Sequence, residues 1–268
     1  MRILARRVFD GIASGKVAKS TTPLSFLGEL DSNTGKVENP LSELNGRTVA
    51  GMILVFPEAK GSTVGPYVLY GAWKRGVAPA GVVVRKADAI VASAAVLAKL
   101  PCVAGVDIEN LADGDEVTVN GTEGFVDLPK VEENNVVTAI LQNKKGEILL
   151  LKRSDKVRTF RGKWAGVSGY IERNSPLEQA YVEIEEELGL PRGDISLARE
   201  GAVVYARDGE QGFTVHPFLF RTTRDEVRLD REHVELAWID PKQLAKYPSV
   251  PALDKVWANL SAASSPTV

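Results

Sequence analysis

Apolar and polar positions along the second half of the chain follow two periods. Val136-Val-Thr-Ala-Ile-Leu141, a turn at Lys145-Gly146 and Ile148-Leu-Leu-Leu151-Lys-Arg153 predict an opening β-hairpin. Ala202-Val-Val-Tyr205, an Asp208-Gly209 turn and Phe213-Thr-Val-His-Pro-Phe-Leu-Phe220 predict a second one. Between them the period changes to that of a helix. Leu177, Ala180, Tyr181, Ile184 and Leu188 fall on one stripe. Ser175-Pro-Leu-Glu178 supplies an N-cap, a first-turn proline and a capping-box glutamate, and Gly189 ends the helix. A last strand is expected at Glu235-Leu-Ala-Trp238-Ile-Asp240. In the first half, Thr48-Val-Ala-Gly-Met-Ile-Leu-Val-Phe56 reads as a strand buried on both faces. A loop with Gly61 and Gly65 follows, then a short helix from Pro66 to Lys74, closed by Gly76.

These elements suggest two α/β domains with a seam near Leu128-Pro-Lys-Val-Glu-Glu-Asn-Asn135, where a strand pattern breaks into charged and amide residues. The expected division is 1–130, 134–260 and a frayed tail at 261–268. In the 268 residues, 44% hydrophobic and 25% charged content describe an ordinary globular protein. A net charge of −2 gives no reason to expect nucleic acid. No apolar run approaches the roughly 18 residues of a membrane span, and no secretory leader is evident, so a cytoplasmic protein is expected. Cys102 is the only cysteine, which excludes an internal disulfide and a cluster held by this chain alone. The histidines, His216 and His233, both lie late, so a zinc site or serine triad in the first half has none nearby.

Helical spacing makes Glu183, Glu186 and Glu187 neighbours on one face. Like charges at these spacings oppose the helix, so the face is either solvated or shared with a hard divalent cation such as Mg2+. Earlier, strand, glycine loop and helix N-terminus combine around Lys60-Gly61-Ser62-Thr63 into a place favourable to anions. The order fits neither a Walker A loop nor a nucleophile elbow.

The run Gly162-Lys-Trp-Ala-Gly-Val-Ser-Gly169 and the acidic helix resemble the Nudix box, G-x5-E-x7-R-E-U-x-E-E-x-G-U, and the likeness extends over about 134–260. It implies a mixed-sheet α/β/α sandwich, Mg2+ or Mn2+ on Glu183, Glu186 and Glu187, and hydrolysis of a diphosphate-linked compound. Gly169, Glu172 and Gly189 are the other box positions. Two departures stand out. Either the loop after Gly169 is one residue short, or Ser168 and Asn174 replace the box Gly and Glu. Val182 also occupies the arginine position.

Pro23-Leu-Ser-Phe-Leu-Gly-Glu-Leu-Asp31, Thr34-Gly35, Asn45-Gly46, Lys60-Gly-Ser-Thr63, Ala78-Pro-Ala80 and Ala87-Asp-Ala-Ile90 resemble the swivelling small subunit of aconitase X over about 1–128. Archaeal members of that family serve as phosphomevalonate dehydratase small subunits. The resemblance implies Ser62 as proton acceptor, with Lys60, Gly61 and Thr63 binding substrate. It also implies a heterodimer with a large subunit whose [4Fe-4S] cluster polarises the leaving hydroxyl. The implied reaction converts (R)-5-phosphomevalonate to trans-anhydromevalonate 5-phosphate and water, as part of isoprenoid synthesis. Two alternatives stay open: the Nudix-like half is a sensor or docking module, or the chain is a stand-alone Nudix hydrolase with an inert first half.

Overall fold

The computed structural model describes residues 1–172, 175–224 and 226–262, which fall into two units, Met1–Glu132 and Glu133–Val268. Asn174 and residues 263–268 of the tail lie outside the described residues. The first unit begins with β1 (Arg2–Leu4), β2 (Arg6–Phe9), β3 (Ile12–Lys19) and a kinked turn, α1 (Phe26–Glu29). It continues through β4 (Ile53–Phe56), α2 (Gly65–Lys74), β5 (Gly81–Val84), α3 (Ala89–Ala98), β6 (Cys102–Ala104), β7 (Glu116–Asn120) and β8 (Phe125–Asp127). One mixed sheet joins these strands in the order β1-β8-β7-β3-β4-β5-β6-β2. The central β3, β4, β5 and β6 are parallel. Every residue of β4 and β5 is buried, as strands covered on both faces require. The strand expected from Thr48 starts only at Ile53, because a turn with Gly51 at φ +68° precedes it. Leu69 of α2 and Val91, Ala94, Ala95 and Ala98 of α3 close the core over this sheet. Asp88 caps α3 by accepting the Val91 N–H at 2.9 Å.

The second unit contains β9 (Glu132–Gln142), β10 (Ile148–Arg153), β11 (Trp164–Ala165), β12 (Val167–Tyr170) and α4 (Pro176–Leu188). After these come β13 (Ile195–Glu200), β14 (Val204–Asp208), β15 (Gln211–Thr222), β16 (His233–Ile239) and α5 (Leu253–Ser261). Ser261, expected in the tail, thus closes a helix. Alternation along β9 sends Val137, Ala139 and Leu141 to one face, where Ala180, Ile184 and Leu188 of α4 cover them. Ile140, with Ile148 and Leu150 of β10, faces Leu253, Val256 and Leu260 of α5. The result is an α/β/α sandwich.

The hairpin expected at β9 and β10 is paired only beside its turn, Ile148 opposite Gln142. Beyond that the two strands part. β10 takes β16 along its length, while β12 takes β9, with Gly169 opposite Val137. The chain crosses the gap at Gly166, between β11 on β10 and β12 on β9. A Cβ at Gly166 would stand 2.8 Å from Ile140 Cδ1 and 2.9 Å from the Ala139 carbonyl oxygen, so only glycine fits there. This split in the sheet opens the cleft described next.

Candidate functional site

α4 is the element that sets the acidic site. Ser175 caps it by accepting the Glu178 N–H at 3.3 Å. The other half of the expected capping box is replaced: the Glu178 carboxylate takes both guanidinium nitrogens of Arg192, at 2.9 and 3.1 Å. Gly189 adopts φ +65° and ends the helix. Glu183, Glu186 and Glu187 then face a cleft of about 810 Å³, which Gly169 and Glu172 also line. Glu186 and Glu172 are exposed, Glu183 is half-buried and Glu187 is buried. Val182, at the box arginine position, is 36% exposed and does not line the cleft.

The environment of each carboxylate is distinct. Gln179 Nε2 donates to Glu183 Oε1 at 2.7 Å, and a Cβ on Gly169 would overlap the Glu183 carboxylate. Burial pushes the Glu183 carboxyl above its ordinary value despite Gln179, and Glu186, Glu232 and Asp230 push it further. The Ser168 N–H donates to Glu187 Oε1 at 3.2 Å. Glu187 Oε2 has no hydrogen-bond partner and no solvent contact. His233 Nδ1 lies 3.8 Å from it, too far for a hydrogen bond, and stands 2.8 Å from Asp230 Oδ1 instead. Burial therefore drives the Glu187 carboxyl well above the usual range, against the Ser168 N–H, with Glu183, Asp230 and Glu232 adding to the rise.

Asp230, Glu232 and His233 are functional candidates that the sequence reading missed. They arrive on the segment that leads into β16, whose first residue is His233, and that segment crosses the end of α4: the N–H groups of Arg228 and Asp230 donate to the Leu188 and Glu187 carbonyls at 3.0 and 3.2 Å. These bonds satisfy last-turn carbonyls that would otherwise lack partners. No periodic signal marks such a segment, and its mixed run of arginines and carboxylates does not single these residues out.

A buried carboxylate oxygen without a partner, beside further carboxylates, is a donor set suited to a hard divalent cation. Among the described residues, no group of three His, Cys, Asp or Glu side chains is already gathered closely enough to hold an ion. The set as it stands is open.

In the first unit, Lys60, Gly61, Ser62 and Thr63 form the exposed loop between β4 and α2. Ser62 Oγ accepts the Val64 N–H at 3.3 Å. Gly61 sits at φ +95°, and a Cβ there would lie 2.6 Å from Ser25 Oγ. The Lys60 ammonium does not stand free: it pairs with Glu29 Oε1 at 2.8 Å. Although burial raises the Glu29 carboxyl, hydrogen bonds from Lys60, Ser25 and Asn39 hold it below its ordinary value. A bridge between Leu24 and Ala59 brings the two segments together.

The geometry defines a chain of two α/β modules, one carrying a serine loop and one an acidic cleft. The aconitase X swivel-domain family matches residues 2–128 and the NUDIX domain matches residues 133–260. A phosphomevalonate dehydratase small subunit from Pyrococcus furiosus is 44% identical over 128 residues, which are 48% of this chain and 96% of that protein. The holo-form of aconitase X from Thermococcus kodakaraensis shares 42% identity over 48% of this chain and 98% of its own, with a TM-score of 0.47. A MutT protein from Methanosarcina mazei Go1 shares 28% identity over 47% and 90%, with a TM-score of 0.41. The chain belongs to the aconitase X swivel-domain family through its first half and carries a Nudix domain in its second. Among the described residues, no helix is long and apolar enough to cross a membrane.

Proposed function

We propose that this chain is the small subunit of a phosphomevalonate dehydratase fused to a magnesium-dependent hydrolase of a diphosphate-linked compound. The first half of this reading is supported by 44% identity across nearly the whole P. furiosus small subunit. The first unit then pairs with an aconitase X-type large subunit, and (R)-5-phosphomevalonate binds where the two meet. Ser62, as its alkoxide, takes the proton from carbon; the carbon–hydroxyl bond breaks as the double bond forms, and the departing hydroxide takes up a proton, leaving trans-anhydromevalonate 5-phosphate and water. A serine hydroxyl needs its anion stabilised to act as a base. The Val64 N–H at 3.3 Å and the start of α2 favour that charge. Lys60, partly neutralised by Glu29, contributes less positive charge than a free ammonium would. An iron–sulfur cluster does not fit this chain: its lone thiol, Cys102, is fully buried and pushed by burial up to about 12. The cluster belongs with the large subunit in this reading.

The test is co-purification of the full chain with a candidate large subunit, followed by a dehydration assay. Ser62→Ala is expected to lower turnover at least about a hundredfold. Unchanged turnover would refute Ser62 as the base.

The hydrolase half rests on the unpartnered, buried Oε2 of Glu187. Glu183, Glu186 and Glu187 would hold Mg2+ or Mn2+, with Asp230 and Glu232 adding negative charge. Such an ion, when bound, polarises a phosphoryl oxygen and lowers the pKa of attacking water. Arg153, which also lines the cleft, offers a cation to a phosphate. Magnesium-dependent phosphate release should be measured over nucleoside and isoprenoid diphosphates, and should vanish in Glu186→Gln and Glu187→Gln. The open ligand set and Val182 favour a second reading, a regulatory module that binds metal and ligand without turnover. Binding without release from any compound would decide for it.

A further inference from the structure

The cleft beside α4 is built from both faces of the sheet, and its two ends differ in chemistry. Glu183, Glu186 and Glu187 enter from the α4 side, while Val136 and Thr138 of β9 point to the α5 side. At that second end Val136, Phe160, Ala206, Phe213, Val215 and Leu253 form an apolar wall, bordered by Thr159 beside Phe160 and by Tyr170 opposite Val136. None of the six wall side chains carries a hydrogen-bonding group. The Thr138 hydroxyl is already engaged with Ser168 Oγ at 3.1 Å. Phe160 is held at φ +55°, a costly backbone region for a bulky residue, with its ring tilted 55° against Phe213 at 5.6 Å between centroids. The two rings are in direct contact and leave no slot between them for a planar base.

We propose that the cleft takes a diphosphate whose organic half is a short apolar chain rather than a nucleoside. The assignment rests on the reading above that the acidic end handles a metal-bound diphosphate. A nucleobase laid against that wall would leave the donors and acceptors that face it without partners, and each unpaired group weakens binding about tenfold or more. An alkyl or isoprenyl chain has none to leave unpaired, and gains by covering the same walls.

The test uses the full chain with Mg2+ and calorimetry of non-hydrolysable methylenediphosphonate esters, from methyl to decyl, beside the adenosine ester. Affinity should tighten about two- to fourfold per methylene, the upper figure being about 0.8 kcal/mol, until the chain fills the cleft. The adenosine ester should bind more weakly than hexyl. Affinity independent of chain length, or a tighter adenosine ester, would overturn the proposal. Ala206→Phe, which fills the apolar end, should flatten the chain-length dependence; an unaltered slope in a folded variant would overturn the placement. If that variant fails to fold, the wild-type series still decides. Hydrolysis of the corresponding diphosphates is scored separately. Chain-length-dependent binding with no phosphate release would sink the hydrolase reading and leave the apolar assignment standing. Release with a preference for nucleotides would do the reverse.

Discussion

Glu187 places a carboxylate where water does not reach and leaves one of its oxygens without a donor. In the metal-free chain that group costs stability whenever it is charged. The sign follows from its raised carboxyl. Folded and unfolded chains are both protonated below the ordinary value of 4.5, so there is no penalty there; it grows as pH climbs from 4.5 through the raised folded value. Glu187→Gln should therefore raise the melting temperature of the metal-free chain at neutral pH by a few degrees, and the variant should lose this falling limb. The same substitution should abolish the thermal shift that millimolar Mg2+ gives the parent chain. A parent chain that Mg2+ does not stabilise would remove the basis of the argument. Gly169 is the steric counterpart. A methyl there meets the Glu183 carboxylate, so Gly169→Ala should displace that side chain, cost about 1–3 kcal/mol and weaken the Mg2+ shift. Denaturant titration with and without Mg2+ checks both effects.

At the scale of elements, α4 is the piece most legible in the sequence. Its cap, apolar stripe, glycine stop and acidic face are all local, set by a 3.6-residue period and by residues next to the helix. Ser175 anchors that start, so Ser175→Ala should cost the second unit about 1 kcal/mol in urea denaturation. The capping-box glutamate reads differently because Arg192 offers Glu178 a two-pronged partner, which a local motif does not foresee. The opening hairpin shows a deeper limit. Alternation identifies β9 and β10 but not whom they pair with, and β16 is 80 or more residues along the chain from the β10 residues it meets. The cleft exists because those two strands separate, and so do the positions of Asp230 and His233, delivered by a segment with no period of its own. Likewise the order of motifs points to the Ser62 loop, whereas the pairing of Lys60 with Glu29 depends on the Leu24–Ala59 bridge.

For the whole molecule, each unit carries its own core. One cluster around Leu54, Phe56, Leu69 and Val84 lies entirely in the first, and the clusters on the α5 and α4 faces lie entirely in the second. A core made only from one unit's residues is what permits folding without the other. Cys102 offers a reporter for the first unit, since it is fully buried and its thiol is pushed by burial up to about 12. At pH 8 a thiol reagent should therefore modify native protein only through opening of that unit. Substitutions in the acidic cleft, Glu187→Gln among them, should shift the unfolding of the second unit, read by Trp164, Trp238 and Trp257, and leave the Cys102 modification rate within about twofold. Expressed alone, residues 1–132 should bury Cys102 as the full chain does and support dehydration with the large subunit. Residues 133–268 should keep the Mg2+ response. A fragment 1–132 whose thiol reacts at the rate of an unfolded chain would show that the first core is incomplete without the second unit. The two activities would then have to be treated as one coupled device, because ligands in the acidic cleft would stabilise the serine loop through linkage.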